Sequence, residues 1–131
     1  MNGVKPGVTG ERKQRVTDEI AVDFLGVAEA RVLGTPYLIA LLEMTARDSI
    51  KPLLEDGFDS VGTEVCVKHL AATPLGMEVT FRSEVIAVDG RRVRYRVEAF
   101  DETEKVAEGE HERHVVHVER FASRLEAKRR R

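Results

Sequence analysis

The sequence of 131 residues has no tryptophan, one cysteine and four prolines, and aromatic residues make up only 5% of it. A single cysteine excludes an intrachain disulfide framework and paired-cysteine redox chemistry. The fold must therefore rest on its apolar core, for which a 42% hydrophobic content is sufficient in a chain of one-domain length. No stretch approaches the roughly 20 apolar residues of a membrane span. The first residues also lack the positive-then-apolar pattern of a secretory signal. Charge of one sign is not in excess, with 21 Lys and Arg against 23 Asp and Glu, which argues against a nucleic-acid partner recruited by bulk charge. The basic cluster Lys128-Arg129-Arg130-Arg131 reads as a solvated tail. What remains is a soluble, cytoplasmic chain forming one domain over residues 1–131, with loose ends at 1–8 and 122–131 and neither nucleic acid nor membrane as partner.

The strongest element lies between Gly34 and Leu54. Thr35 suits a helix N-cap and Pro36 the first helical position, where a missing N–H costs nothing. Leu38, Leu41, Leu42, Thr45, Ala46, Ser49 and Leu53 keep helical spacing and draw a buried stripe. Pro52 disturbs the last turn, and Gly57 supplies a stop. Before the helix, residues 9–17 are polar and read as an edge strand, with Lys and Arg discouraging wrong pairing. Residues 18–33 read as a short strand or a lid-like loop.

After Gly57 the period changes from 3.6 to 2. Val61, Thr63, Val65, Val67 and His69 share one strand face, opposite Gly62, Glu64 and Cys66. A second strand runs through Val79, Phe81, Ser83, Val85 and Ala87. Asp89-Gly90 marks a tight hairpin whose two turn positions both want positive φ. Val93, Tyr95, Val97 and Ala99 then alternate with charged residues, and a last strand covers about Lys105 to Val118. One striped helix against an antiparallel sheet with one buried face is an α+β architecture, and the sheet has to curl around the helix to bury it.

Glu43 interrupts the helical stripe at its edge. From periodicity alone it is either a rim acid paired with Arg47 at i+4 or a working carboxylate. Thr35 is a cap by default, and His69 a core histidine. Cys66 faces away from the helix, which speaks against a cysteine nucleophile. His111, His114 and His117 are not a metal set, because along a strand His114 points away from the other two. Gly109 marks a bulge or a close backbone approach. The Arg92, Arg94 and Arg96 stripe is a solvated outer face or a contact for ligand phosphates.

The segments Gly34-Thr35-Pro36 with Glu43 eight residues after the threonine, Val61-Gly62-Thr63, His69-Leu70-Ala71-Ala72-Thr73-Pro74 and Glu108-Gly109-Glu110-His111-Glu112-Arg113 together resemble the fluoroacetyl-CoA thioesterase-like family of hotdog-fold proteins. The likeness runs from about Gly7 to Phe121. It implies a hotdog fold in which a curled antiparallel sheet wraps one long central helix and two protomers pair their sheets, with a dimer of dimers left open. It implies hydrolysis of an acyl-CoA thioester near the dimer interface by Thr35, Glu43 and His69. Gly62 and Arg113 match positions associated with substrate. No cofactor is expected, CoA being part of the substrate, and no metal.

One departure limits the resemblance. The fluoroacetyl enzyme carries an aromatic- and proline-rich lid before the helix, whereas Asp23-Phe24-Leu25-Gly26-Val27-Ala28-Glu29-Ala30-Arg31 is shorter and keeps one aromatic. The expectation is therefore a small or medium acyl-CoA substrate, not fluoroacetyl specificity. Glu43 acts as general base on water or as nucleophile through an anhydride. The alternatives are a non-catalytic acyl-CoA binding or sensing module on the same scaffold and, ranked below it, a hotdog hydratase.

Overall fold

A computed structural model describes residues Met1–Arg131. The chain forms β1 (Thr9–Arg15), a short pair β2 (Ala21–Val22) and β3 (Val32–Leu33), helix α1 (Thr35–Ile50), then β4 (Phe58–His69), β5 (Glu78–Asp89), β6 (Arg92–Phe100), β7 (Lys105–His117) and helix α2 (Val118–Arg129). Five strands make one antiparallel sheet in the order β1-β5-β6-β7-β4. The sheet curls around α1, as the alternating pattern requires. Leu38, Leu42, Ala46 and Ile50 of α1 meet Val79, Phe81, Val85, Val93, Tyr95 and Val97 in a core that excludes water. Each fully buried side chain of this size contributes about 1.5–3 kcal/mol. No helix is long and apolar enough to cross a membrane.

The helix differs from expectation at both ends, for local reasons. Gly34, not Thr35, is the N-cap, and no side chain caps the helix. The Thr35 hydroxyl is thereby left free for another partner. At the other end α1 stops at Ile50 and a 3-10 turn carries Lys51–Leu53, because Pro52 cannot donate into an α-helical ladder. Leu53 is turned out into solvent, and Ile50 fills the core in its place.

Val4 is buried in the core and Met1 packs against it, while most of 122–131 lies in α2. The hairpin after β5 turns on Gly90 and Arg91, with positive φ at Gly90 alone. This fits a type II′ turn and not the type I′ expected. Gly109 is a close approach: a Cβ there would overlap the Cys66 carbonyl across the β4–β7 ladder.

The most consequential difference is a bulge in β4. The β4–β7 register shifts between Gly62 and Glu64, so one extra residue, Thr63, reverses the side-chain parity on its N-terminal side. Val65, Val67 and His69 face α1 as expected. Below the bulge Ser60 and Gly62 take over the inner face, pairing with Val115 and Arg113, while Val61 and Thr63 turn outward. An unbroken alternation had placed Gly62 outside. The Cys66 thiol is exposed and free. On the outer face Arg94 is tied to Glu64, Glu110 and Glu112, and Arg92 and Arg96 reach Asp89 and Glu84. The arginine stripe is a solvated ion-pair lattice whose pairs individually stabilise little.

Candidate active site

Two groups of polar residues stand at different heights along α1. The first gathers at its N-terminus. Leu33 donates its N–H to the Thr73 carbonyl at 2.9 Å, and Val32 bridges Pro74. The Thr73 hydroxyl, fully buried, donates to Asp101 at 3.0 Å. These bonds dock the segment before α1 onto the one after His69. As a result Thr35 Oγ1 and His69 Nδ1 share a hydrogen bond of 2.7 Å. Burial lowers the pKa of the His69 imidazole, with the nearby Ala71 carbonyl acting in the opposite sense, so the ring is neutral at pH 7. Its Nε2 is buried without a hydrogen-bonding partner. A cleft of about 460 Å3 opens beside this pair, lined by Val22, Phe24, Gly34, Thr35, His69 and Ala72 among others. Phe24 overhangs it with 80% of its surface exposed.

The second group surrounds Glu43, whose side chain is 37% exposed. It is not a rim acid paired with Arg47, because Arg47 is held by Asp59 at 2.6 Å and by Asp48 at 3.0 Å. Instead the carboxylate passes over Gly62 towards β7. A Cβ at position 62 would overlap Glu43 Oε1 and lie 3.3 Å from the His111 ring. The bulge and the glycine therefore act together: one turns position 62 inward, the other leaves it empty for the carboxylate. His111 Nε2 and Arg113 Nη1 each stand 3.9 Å from Oε1. Glu43, Gly62 and Arg113 line a second cleft of about 420 Å3 with Ala40 and Met44.

Arg113 is 7% exposed. Its Nε donates to Ser60 Oγ at 2.7 Å, its Nη2 to the Ser60 carbonyl at 2.8 Å, and its Nη1 points at His111 Nε2 at 3.2 Å. His111 Nδ1 lies 2.8 Å from the Glu64 carbonyl, which can only accept, so Nδ1 carries the proton and Nε2 is the acceptor. Burial pushes the His111 pKa down, and the Arg113 charge adds to this. Sequence reasoning treated His111 only as a rejected metal ligand and did not single out Ser60. The available signal was the i, i+2 spacing of His111 and Arg113, which puts both on one strand face. No three His, Cys, Asp or Glu side chains gather as metal ligands.

Within one protomer the structure thus brings Thr35 and His69 together, and Gly62 and Arg113 to Glu43. It does not bring Glu43 to Thr35, since eight residues of α-helix rise about 12 Å. The geometry makes Gly62→Ala a sharp probe. If the enzyme works through the Glu43 carboxylate, the catalytic rate should fall at least about tenfold, because an added methyl displaces it by more than catalysis tolerates. A Gly62→Ala enzyme with unchanged kcat would show that the carboxylate does not need this position.

Comparison with known proteins agrees with the fold. Residues 16–119 match the family described as fluoroacetyl-CoA-specific thioesterase. The fluoroacetyl-CoA thioesterase of Streptantibioticus cattleyicolor is 40% identical over 97 residues, 74% of this chain and 70% of that protein. Among solved structures, a variant of the fluoroacetyl-CoA-specific thioesterase FlK in complex with fluoroacetate and CoA superposes with a TM-score of 0.81 at 36% identity, covering 90% of this chain and 99% of that one. A thioesterase superfamily member from Thermus thermophilus gives a TM-score of 0.89 at 26% identity, covering 99% and 96%. The chain belongs to the fluoroacetyl-CoA-specific thioesterase family and is a hotdog-fold thioester hydrolase.

Proposed function

We propose that this protein hydrolyses a small or medium acyl-CoA, in a site that two protomers build together from Thr35 and His69 of one and Glu43 of the other. The observation that carries the reading is the division of the matched residues into two groups about 12 Å apart along one helix. A two-fold axis closes that gap twice over. β4 is an edge strand of 12 residues whose central part is exposed, an unpaired template of the kind that joins chains. Gly62 and His69 lie equally far from its Val65–Cys66 midpoint. An antiparallel pairing of two β4 edges about that midpoint sets His69 opposite the partner's Gly62, to within the one-residue bulge. Thr35 and Glu43 lie equally far from Ile39, so two antiparallel α1 helices crossing there exchange the same ends. Ala40 and Met44, exposed on α1 in the protomer, flank this crossing point. The resulting homodimer is an isologous pair, which leaves assembly into a dimer of dimers open.

In such a site the acyl group enters the cleft under Phe24. The first-turn amides of α1 have no intrahelical acceptor. Pro36 offers none, and the Tyr37 N–H already bonds the Gly34 carbonyl at 3.1 Å. The Thr35 amide is the donor left for the developing oxyanion, at the positive end of the helix. Either the partner's Glu43 takes a proton from the attacking water and yields it through the Thr35–His69 pair as the C–S bond breaks, or Glu43 attacks the carbonyl carbon itself. In the second case the C–S bond breaks to leave a mixed anhydride, and water then hydrolyses the anhydride to the free acid and gives up its proton. The Thr35–His69 pair orients the attacking species and returns a proton to the leaving thiolate. Gly62 and Arg113 border the same carboxylate, which suits a place beside the bound substrate. A free, exposed cysteine suits a reducing cytoplasm.

The cleft has the volume of an ordinary small-ligand pocket, and its cover, carrying a single aromatic ring, suits small to medium acyl chains better than one fluorinated substrate. A panel of acyl-CoA thioesters assayed with a thiol-trapping reagent tests this. Thiol release is expected to be fastest for chains within the small to medium range. A rate confined to fluoroacetyl-CoA, or thermal stabilisation by acyl-CoA without thiol release, would overturn the reading.

A further inference from the structure

We infer that His111 is a positioning residue for Glu43: it holds Arg113 Nη1 by accepting its hydrogen bond and so keeps the guanidinium from closing onto the carboxylate. The inference rests on Glu43 being the reacting carboxylate.

Arg113 is a buried cation that cannot shed its proton. Its Nε and Nη2 are engaged by Ser60. Only Nη1 faces the interior, and it has two available acceptors, His111 Nε2 at 3.2 Å and Glu43 Oε1 at 3.9 Å. The nearer one is a neutral nitrogen and the farther one an anion. A guanidinium gains more from a carboxylate, which carries the opposite charge and can accept two parallel bonds, than from a neutral ring nitrogen. With no competitor, Nη1 would close the short gap to Glu43. A carboxylate in a short pair with arginine is a poorer base and a poorer nucleophile. What prevents this is the fixed orientation of the His111 ring. Its proton is committed to the Glu64 carbonyl at 2.8 Å, and its face stacks on Tyr95 with ring centroids 5.7 Å apart. The lone pair on Nε2 is thereby aimed at Arg113 by two restraints from two different strands.

The groups facing His111 are consistent with a neutral ring. Arg113 on the same strand and burial both disfavour a second proton, against Glu43 from α1 and Glu112. Tyr95 from β6 stays un-ionised because burial pushes its phenol up, so it offers Arg113 no competing anion. Asp59 from β4 is already paired with Arg47. Protonation of His111 would turn Nε2 from acceptor into donor and release Nη1, which links loss of activity in acid to this residue.

The test compares His111→Phe with His111→Gln in the dimeric enzyme, with kcat and KM measured across pH. Phe keeps a ring against Tyr95 and removes both hydrogen bonds. Gln keeps an acceptor for Arg113 and a donor for the Glu64 carbonyl. His111→Phe should lower kcat by about 10- to 100-fold, part of the 10²–10⁴ associated with a general base. KM should change little, and the acid limb of kcat should move to lower pH. His111→Gln should stay within about threefold of wild type, as expected when the restraining hydrogen bond is kept. A folded His111→Phe with the wild-type kcat and acid limb overturns the inference. So does a folded His111→Gln whose kcat falls about tenfold or more below wild type, and this second outcome decides the matter if the Phe variant does not fold. If Glu43→Ala retains activity, the reading of Glu43 fails and this inference with it. If Glu43→Ala is inactive while His111→Phe is unaltered, only the role of His111 fails.

Discussion

Glu43→Ala is expected to abolish release of CoA from acyl-CoA, with a fall in kcat of about 10²–10⁴ or more, while the protein stays folded and dimeric. The structural side of this expectation follows from what Glu43 does not hold. Its carboxylate lies 3.9 Å from the nitrogens of Arg113 and His111, and more than a third of its side chain is exposed. The α1 core is carried by Leu38, Leu42, Ala46 and Ile50 on the adjacent face. Arg113 loses its nearest anion in the variant but keeps its bonds to Ser60 and His111, so the buried cation is not stranded. A change of about 1 kcal/mol or less in stability is the corresponding figure for a partly exposed ion pair at long range. Glu43→Gln separates charge from shape, since it fills the space over Gly62 without a carboxylate. It should be as inactive as the alanine variant. Thiol-trapping rates with thermal melting and size-exclusion chromatography check all of this. A folded, dimeric Glu43→Ala enzyme with normal turnover would remove Glu43 from the mechanism.

The parts of the fold that were legible in the sequence are those governed by one period at a time. Leu38, Leu42, Thr45 and Ala46 lie on the buried side of α1 where helical spacing puts them. Val79, Phe81 and Val85, and Val93, Tyr95, Val97 and Ala99, face the core with a period of two. The errors arose where a second constraint cut across the period. Pro52 ended the helix before Leu53, and the core took Ile50 instead. Gly34 capped α1 because Thr35, one residue later, is bonded to His69. Above all, the β4 bulge cannot be seen in β4 alone. It is a mismatch of one residue between β4 and β7, two strands that lie far apart in the chain, and it decides which side of the sheet Ser60 and Gly62 occupy. The identity of the candidate site residues came from their matched spacing to a family, since periodicity by itself favoured ordinary structural roles for each. Their surroundings were not legible. No local pattern says that His111 and Arg113 stand under Glu43, because that proximity is made by α1 crossing the sheet at the bulge.

Mixing two inactive variants should restore activity. On the proposed dimer, His69→Ala and Glu43→Ala homodimers would each lack a needed group in both of their sites. If each site takes His69 from one protomer and Glu43 from the other, a mixed dimer concentrates both defects in one site and leaves the second intact. Random exchange of equal amounts makes half of the dimers mixed, so about one quarter of all sites should be whole and about one quarter of wild-type activity should return, as the isologous symmetry demands. If all three residues acted within one protomer, every site in the mixed dimer would carry a defect and nothing would return. The same reasoning applies to Thr35→Ala, which stands in the His69 group through their 2.7 Å hydrogen bond. Thr35→Ala should complement Glu43→Ala and fail to complement His69→Ala, because each of the two sites in that mixed dimer then carries one defect. This pattern distinguishes a shared site from stabilisation of one variant by the other, which would rescue either pairing alike. Subunit exchange has to be shown in parallel, by differently tagged chains co-purifying after mixing. Exchange without recovery in the Glu43→Ala pairings would show that Glu43 does not act with the Thr35 and His69 of another protomer. Recovery would turn a 12 Å separation along α1 from an obstacle into the reason the enzyme needs two copies of itself.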